Sequence, residues 1–218
     1  MGVTVRRAEE SDRAAVVRLL DEAFHDDPVS NWIFPDKASY QSRHRLLMGA
    51  FTDLAFSQGY VEIMEDGSGA ALWFSVPAEE ERDGHAPDAG ADGGPEAFAE
   101  DDGPALVREA VDPANQRIEV VGRLTAAVHP ADRAHEYLML IGVDPDQQGK
   151  GLGSVLVEHV LERCDREGLH AYLEASSVRS RGLYERLGFA YLGSTVDLPG
   201  GPHMWPMWRE PRAEPGRA

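Results

Sequence analysis

Apolar residues recur along the chain at helical and strand spacings, and these spacings predict alternating helices and strands. After the polar start Glu10-Ser11-Asp12, apolar side chains return every three or four residues between Val16 and Phe24, as on a helix with one buried face. Asp27-Pro28 is expected to end this helix, and the aromatic stretch beyond it is expected to be a loop. The same spacing predicts further helices at residues 38–58, 104–111, 114–128, 152–167 and 180–187. Apolar runs of strand length predict strands at 3–7, 60–66, 70–76, 137–143 and 171–175, with two more over 189–210.

A strand, a glycine-rich turn, a helix and a second strand follow one another between residues 137 and 175. The strand at 137–143 is apolar almost throughout, which is typical of a strand buried on both faces. Because a helix carries the chain from the end of the first strand to the start of the second, the two strands should be parallel.

Composition places the chain among globular proteins and narrows its possible partners. Its 218 residues are 42% hydrophobic and 27% charged, which is enough to build a buried core. Acidic residues outnumber basic ones 38 to 21, and the net charge of −17 argues against a nucleic-acid-binding surface. No apolar run reaches the roughly 18 residues of a membrane span, and residues 1–7 lack the apolar core of an export signal. We therefore expect no membrane association and a cytoplasmic protein.

Cysteine and histidine usage bear on two further kinds of site. The single cysteine, Cys164, excludes an internal disulfide, fits a reducing compartment and is expected to be inert helix packing. The eight histidines show no zinc-binding spacing such as His-Glu-x-x-His, so no metal is expected.

The negative charge is concentrated in one segment. Residues 79–102 hold ten acidic residues and one basic residue, Arg82, together with several glycines and prolines. Such a segment buries too little apolar surface to offset its ordering entropy. We expect a single domain over 1–210 with a mobile acidic insertion at about 78–103, followed by a flexible tail at 211–218. Two interpretations of the insertion stay open: a solvated loop, or an acidic lip that attracts a cationic substrate.

The glycine-rich turn has the composition of a phosphate-binding site. Glycines at 149, 151 and 153 lie where a strand passes into a helix, with Gln148 and Lys150 beside them. The backbone can approach a ligand closely there, and the first amides of the helix are free to bind an anion. The spacing does not fit a P-loop, and Ser154 takes the place of the third glycine of a dinucleotide fingerprint.

Two motifs resemble those of the GNAT superfamily of N-acetyltransferases. The first is Gln-Gly-Lys-Gly-Leu-Gly at 148–153, after Val-Asp-Pro at 143–145; the second is Leu-Tyr-Glu-Arg-Leu-Gly-Phe at 183–189. Within the superfamily, the segments 172–176 and 200–205 resemble the branch that includes puromycin N-acetyltransferase.

The resemblance implies a fold and a co-substrate. The fold is of the α/β (α+β) type: a mixed, mostly antiparallel central sheet with a splayed parallel strand pair and helices on both faces. Acetyl-CoA would lie in the gap between the parallel strands, with no metal. The residues that the resemblance assigns to acetyl-CoA are Ile141, Gly142, Val143, Gln148, Gly149, Lys150, Gly151, Leu152, Gly153, Ser154 and Ser180.

The resemblance also implies catalytic residues. Tyr184 would protonate the departing CoA thiolate, since a phenol with an ordinary pKa of about 10 is protonated at neutral pH. Glu174 is the preferred base for the attacking amine, with Glu136 as the other acid on the flanking strands. A water relay, or deprotonation of the amine in bulk solvent, would serve equally.

The acceptor is expected to be a small-molecule amine. Asp27, Trp32, Phe34 and His203 are its candidate contacts, because acids with aromatic rings suit a cationic amine bearing an apolar body. Acetylation of a protein or peptide, or a non-catalytic acyl-CoA-binding module, are the alternatives. Assembly into a homodimer is left open.

Overall fold

In the computed structural model, which describes residues 4–78 and 103–212, eight strands form one sheet. Their bounds are β1 Val5–Arg7, β2 Tyr60–Met64, β3 Gly69–Val76, β4 His135–Val143, β5 His170–Ala175, β6 Ala190–Tyr191, β7 Val196–Asp197 and β8 His203–Arg209. The order is β1-β2-β3-β4-β5-β8-β6, and β7 pairs with β8. Neighbouring strands are antiparallel except β4 and β5, which are parallel as expected. The acidic insertion and most of the tail lie outside the described residues.

Seven α-helices in the described residues lie in the connections between successive strands. Their bounds are α1 Arg13–Ala23, α2 Pro28–Ile33, α3 Lys37–Gln58, α4 Gly103–Val111, α5 Gln116–Ala126, α6 Leu152–Glu167 and α7 Val178–Arg186. Short 3₁₀ turns lie at Glu10–Asp12 and Pro145–Gln147.

The expectation that the segment after Asp27-Pro28 is a loop was wrong. Asp27 is the N-cap of α2, where its Oδ1 accepts hydrogen bonds from the amides of Val29 and Ser30, both at 2.9 Å. Pro28 occupies the first helical position, where its missing N–H costs nothing. The dipeptide therefore starts a helix after α1 has already ended at Ala23.

Two hydrophobic clusters cover the opposite faces of the sheet. Side chains alternate along a strand, and on β3 Leu72 and Phe74 enter one cluster while Ala71 and Trp73 enter the other. The first cluster packs against α1 and α3, and the second against α6. The mixed sheet with helices on both faces is thus confirmed.

The C-terminal segment forms three strands where two were expected. Pro206 in β8 explains why β6 is short. The N–H of Leu192 donates to the carbonyl of Pro206 at 3.0 Å, but proline has no N–H to return the bond. The pairing of β6 therefore ends at Tyr191.

Candidate active site

A bulge in β4 opens the sheet beside β5. Leu72 of β3 pairs with Leu140 and Trp73 pairs with Leu138, so Met139 is an extra residue without a counterpart on β3. Met139 and Leu140 consequently both pack against the same cluster, where strict alternation would separate them. The pairing of β4 with β5 ends at Leu138. Beyond this residue the two parallel strands diverge.

The end of β4 turns backbone groups into the resulting gap. The N–H of Asp144 donates to the carbonyl of Ser68 at 2.9 Å, on the β3 side of the strand. Alternate residues of a strand direct their backbone groups to the same neighbour, so Gly142 also faces β3. It follows that the N–H and C=O of Ile141 and Val143 face the gap.

A cavity of about 1270 Å³ lies at this gap. It is lined by β4, the end of β5, the glycine-rich turn and α7 on one side, and by α2, α3, α4 and α5 on the other. It brings together Tyr184, Glu174, Ile141, Val143 and the turn residues 148, 149 and 151–154.

The glycine-rich turn offers backbone donors to this cavity. Gly149 and Gly151 have φ angles of +79° and +86°, which favour glycine over any residue with a Cβ atom. Gly151 is the N-cap of α6, and in the described part of the chain no side chain caps this helix. The first amides of α6, from Leu152 to Ser154, therefore lack the partner that a capping side chain would supply. The turn fits a phosphate or pyrophosphate group.

The polar side chains of the turn are held by the turn itself. The amide of Gln148 donates to the carbonyl of Val143 at 3.2 Å. The ammonium of Lys150 donates to the carbonyl of Asp146 at 3.1 Å and to the side chain of Gln147 at 2.8 Å. Within the turn, backbone amides are thus the main donors that can face the cavity.

Tyr184 is positioned by a well-capped helix. Ser177 and Ser180 form a reciprocal capping box at the start of α7, so the Ser180 hydroxyl serves the helix as well as lining the cavity. The Tyr184 ring is 5% exposed and meets Phe189 edge to face at 5.8 Å. Burial, reinforced by the negative charge of Asp27, raises the pKa of the Tyr184 phenol. The hydroxyl therefore stays protonated over the whole physiological range.

The carboxyl group of Glu174 has a pKa close to neutral pH. Burial raises its pKa to about 7, although hydrogen bonds from neighbouring tyrosines oppose the shift. The hydroxyl of Tyr137 donates to Glu174 Oε2 at 2.9 Å, across the two parallel strands. A carboxyl group with such a pKa can accept a proton and release it again near pH 7.

Replacing Tyr137 with Phe should raise the pKa of Glu174 further. The Tyr137 hydroxyl stabilises the charged carboxylate, so its removal favours the protonated form while burial is unchanged. We expect an upward shift of about one unit, which corresponds to one lost hydrogen bond to a charged group. NMR titration of the carboxyl carbon would measure it, and an unchanged or lower pKa would contradict this account of Glu174.

The other acid considered as a base lies elsewhere. Glu136 is 2% exposed and accepts hydrogen bonds from Tyr60 at 2.7 Å and Ser75 at 2.9 Å. Its carboxylate also lies 3.1 Å from Arg163 of α6. These partners place Glu136 in a buried ionic network beside α6, and it does not line the cavity.

Cys164 is fully buried and burial raises the pKa of its thiol to about 12, as expected for inert packing.

The four candidate acceptor contacts do not converge. Asp27 lines the cavity, but its carboxylate caps α2 and its Oδ2 accepts a 2.6 Å hydrogen bond from Ser176 after β5. Phe34 is 1% exposed in the core, and Trp32 donates to the carbonyl of Pro199 at 3.3 Å. His203 is exposed and bonded to Asp197 at 2.6 Å. Trp32, Phe34 and His203 are absent from the cavity lining within the described residues.

The residues that surround the site, Tyr137 and those of α4 and α5, were not predicted from the sequence. Tyr137 was visible only as an apolar strand residue, although the predicted parallel pairing already placed it beside the strand of Glu174. No sequence motif indicated that α4 and α5 would line the cavity, because this depends on where the two helices pack in the fold.

Comparisons with known proteins agree with this geometry. The model of the acetyltransferase (GNAT) family matches residues 72–189, more than half of the chain. The chain belongs to the GNAT family. An uncharacterized N-acetyltransferase of Schizosaccharomyces pombe is 27% identical over 206 residues, covering 87% of this acetyltransferase and 75% of the relative.

Other matches of this acetyltransferase are shorter or structural. A mycothiol acetyltransferase of Arthrobacter sp. is 35% identical over 92 residues, which cover 39% of this chain and 28% of the relative. The solved structure titled histone acetyltransferase HPA2 and related acetyltransferase, from Corynebacterium glutamicum, superposes with a TM-score of 0.64 at 24% identity, with 100% of both chains covered. That structure supports the shared fold.

Membrane-spanning helices and metal-binding clusters of side chains are both absent from residues 4–78 and 103–212. There, no helix of this acetyltransferase is long and apolar enough to cross a bilayer. No group of three or more histidine, cysteine or acidic side chains in the same ranges could hold a metal ion.

Proposed function

We propose that this acetyltransferase transfers the acetyl group of acetyl-CoA directly to the primary amine of a small molecule. One observation carries the proposal: a single cavity is lined by the glycine-rich turn, Tyr184 and Glu174. A phosphate-accepting turn, a proton donor and a proton acceptor at one gap are the parts that such a transfer needs.

Backbone groups would hold acetyl-CoA. The amides from Gly149 to Ser154 would bind the pyrophosphate, and Ile141 and Val143 would pair with the pantetheine arm like an added strand. Acetyl-CoA supplies the acetyl group as a thioester, and in the transfer a C–N bond forms while the C–S bond breaks. An N–H of the Ile141–Val143 segment would stabilise the negative charge that develops on the carbonyl oxygen.

The two side chains would manage the protons. Glu174, whose pKa of about 7 suits the task, would take the proton of the incoming ammonium group and leave a neutral amine. Tyr184 would give its phenolic proton to the departing sulfur. The proton that the nitrogen sheds as the amide forms would restore the phenol. The products are an N-acetylated amine and the free thiol of CoA.

A small molecule is favoured as the acceptor by the position of the cavity. Its far side lies among α3, α4 and α5, so an acceptor bound there would be held between helices, a shape that suits a small molecule. The names of the matched proteins leave both classes open, since one refers to mycothiol and another to histones.

A thiol-release assay with a panel of amines tests the proposal. The panel should include alkylamines, aromatic amines, an aminonucleoside related to puromycin, and peptides with a free N-terminus or lysine. We expect release of CoA thiol in equal amount to N-acetylated small amine. Faster turnover of peptides would favour protein acetylation, and CoA binding without turnover of any amine would favour a non-catalytic module.

A further inference from the structure

The connection between β3 and β4 is far longer than their geometry requires. The two strands are antiparallel neighbours, which a two-residue turn can join. Here residues 77–134 separate them, and this connection contains both α4 and α5. A long insertion between paired strands is a common place for added function, since the sheet does not depend on it.

The inserted helices are fixed against the body of the protein. Asn115 donates to the carbonyl of Ile33 at 3.0 Å, and Arg117 donates to the carbonyl of Trp32 at 2.6 Å, at the end of α2. The two helices also meet closely, because a Cβ atom on Gly122 would come within 2.8 Å of Pro104. The helix pair thus forms a defined wall.

The wall faces the cavity with apolar side chains. The inserted helices contribute Val107 of α4 and Ile118 and Val121 of α5 to the lining of the cavity. The rest of the protein contributes Phe51 of α3 and Met139 of β4. The same cavity reaches Glu174, so a polar end with a proton acceptor adjoins a compartment of largely apolar walls.

We propose that α4 and α5 build an acceptor subsite that selects primary amines carrying an apolar body. This inference rests on the proposed function and names its substrate class. The amino group lies toward Glu174, while the hydrocarbon part lies among Val107, Val121 and Phe51. Hydroxyl or amide groups placed among Val107, Val121 and Phe51 would lose hydrogen bonds to water, and these side chains offer none in return, so sugars and peptide backbones are disfavoured.

A homologous series of linear amines tests the inference. From butylamine to octylamine, kcat/KM should rise about fourfold for each added methylene until the compartment is filled, which is the gain expected for burying one such group. Hexylamine should exceed 5-aminopentan-1-ol, which has a similar length, by at least about tenfold.

Substitutions in α4 and α5 test whether these helices cause the dependence of kcat/KM on chain length. Leu106 lines the cavity and is 63% exposed, so the Leu106→Gln variant should fold normally. The double variant combines this substitution with Val121→Thr, which nearly keeps the shape of the side chain. In the double variant the gain for each methylene should fall to about twofold or less. The matched control is Leu192→Gln, at an exposed leucine outside the cavity lining of the described residues, which should keep the wild-type dependence.

The outcomes separate this inference from the proposed function. Turnover of small amines with no dependence on chain length, or equal use of hydroxylated and plain amines, would overturn the subsite and leave amine acetylation standing. A length dependence unchanged in the double variant would move the subsite away from α4 and α5 and overturn the inference. Absence of turnover with every amine would overturn both.

Discussion

The Glu174→Gln variant is expected to lose about 100-fold or more in kcat/KM for amines at pH 7.5, the usual contribution of a positioned general base. Gln keeps the size of the side chain and can still accept the hydrogen bond from Tyr137, but it cannot take a proton. The wild-type profile of kcat/KM should fall on the acidic side near pH 7, because burial raises the pKa of Glu174 to about that value. In the variant the limb near pH 7 should be lost, and the remaining activity should follow the fraction of neutral amine in bulk solvent.

Stability should change in the opposite direction to activity. A carboxyl group whose pKa is raised on folding stabilises the protein fully only below its unfolded value, and this contribution is lost as the pH rises to about 7. Above that pH the wild type carries a buried charge that Gln lacks. Glu174→Gln should therefore be more stable at pH 9 by about 1–2 kcal/mol in denaturant unfolding. As a control, Glu185→Gln alters an exposed ion pair with Arg181 on α7 and should leave activity and stability nearly unchanged. Full activity of Glu174→Gln with an unaltered acidic limb would exclude Glu174 as the base.

The Tyr184→Phe variant should lower kcat by about 100-fold and leave the Kd for CoA within about twofold of the wild-type value. Phe fills the same buried space beside Phe189, so the helix and the cavity keep their shape while the proton donor is removed. Steady-state kinetics with a saturating amine, together with calorimetry of CoA binding, measure the two quantities separately.

A tyrosine outside the site provides the control for this substitution. Tyr191, which stacks with Arg181 and does not line the cavity of the described residues, should tolerate Tyr191→Phe without loss of turnover. Retained kcat in Tyr184→Phe would remove Tyr184 from the proposed proton transfer. A parallel loss of CoA affinity would instead show that its hydroxyl serves binding.

The unit from β4 through α6 to β5 was predictable because its signals are local. An apolar strand, a glycine-rich turn and a one-sided helix each lie within a short stretch of sequence, and their parallel arrangement follows from chirality. Asp27-Pro28 is also a local signal, but it was interpreted as the end of the preceding helix. In the structure the dipeptide begins α2.

The arrangement around the site depends on long-range packing. The sequence favoured Glu174 over Glu136 as the base only by its place near the end of its strand, since both acids lie on strands beside the gap. Tyr60 and Arg163, distant in sequence, engage Glu136, whereas Tyr137 engages Glu174 at the cavity. Aromatic residues such as Phe34 give no indication from sequence alone whether they line a cavity or fill the core, and here Phe34 fills the core.

The central claim is that the amides at the start of α6 bind the pyrophosphate of CoA, and Ser154→Glu tests it most directly. A carboxylate in the first turn of α6 favours the helix dipole, so thermal stability should be kept or slightly increased. The same charge would repel a bound pyrophosphate. Calorimetric titration with CoA should show binding weakened by at least about tenfold in Ser154→Glu. The control Gln116→Glu, which adds an acid to the exposed first turn of α5, should keep wild-type affinity. Equal CoA affinity in all three proteins, or no binding by the wild type, would contradict the account.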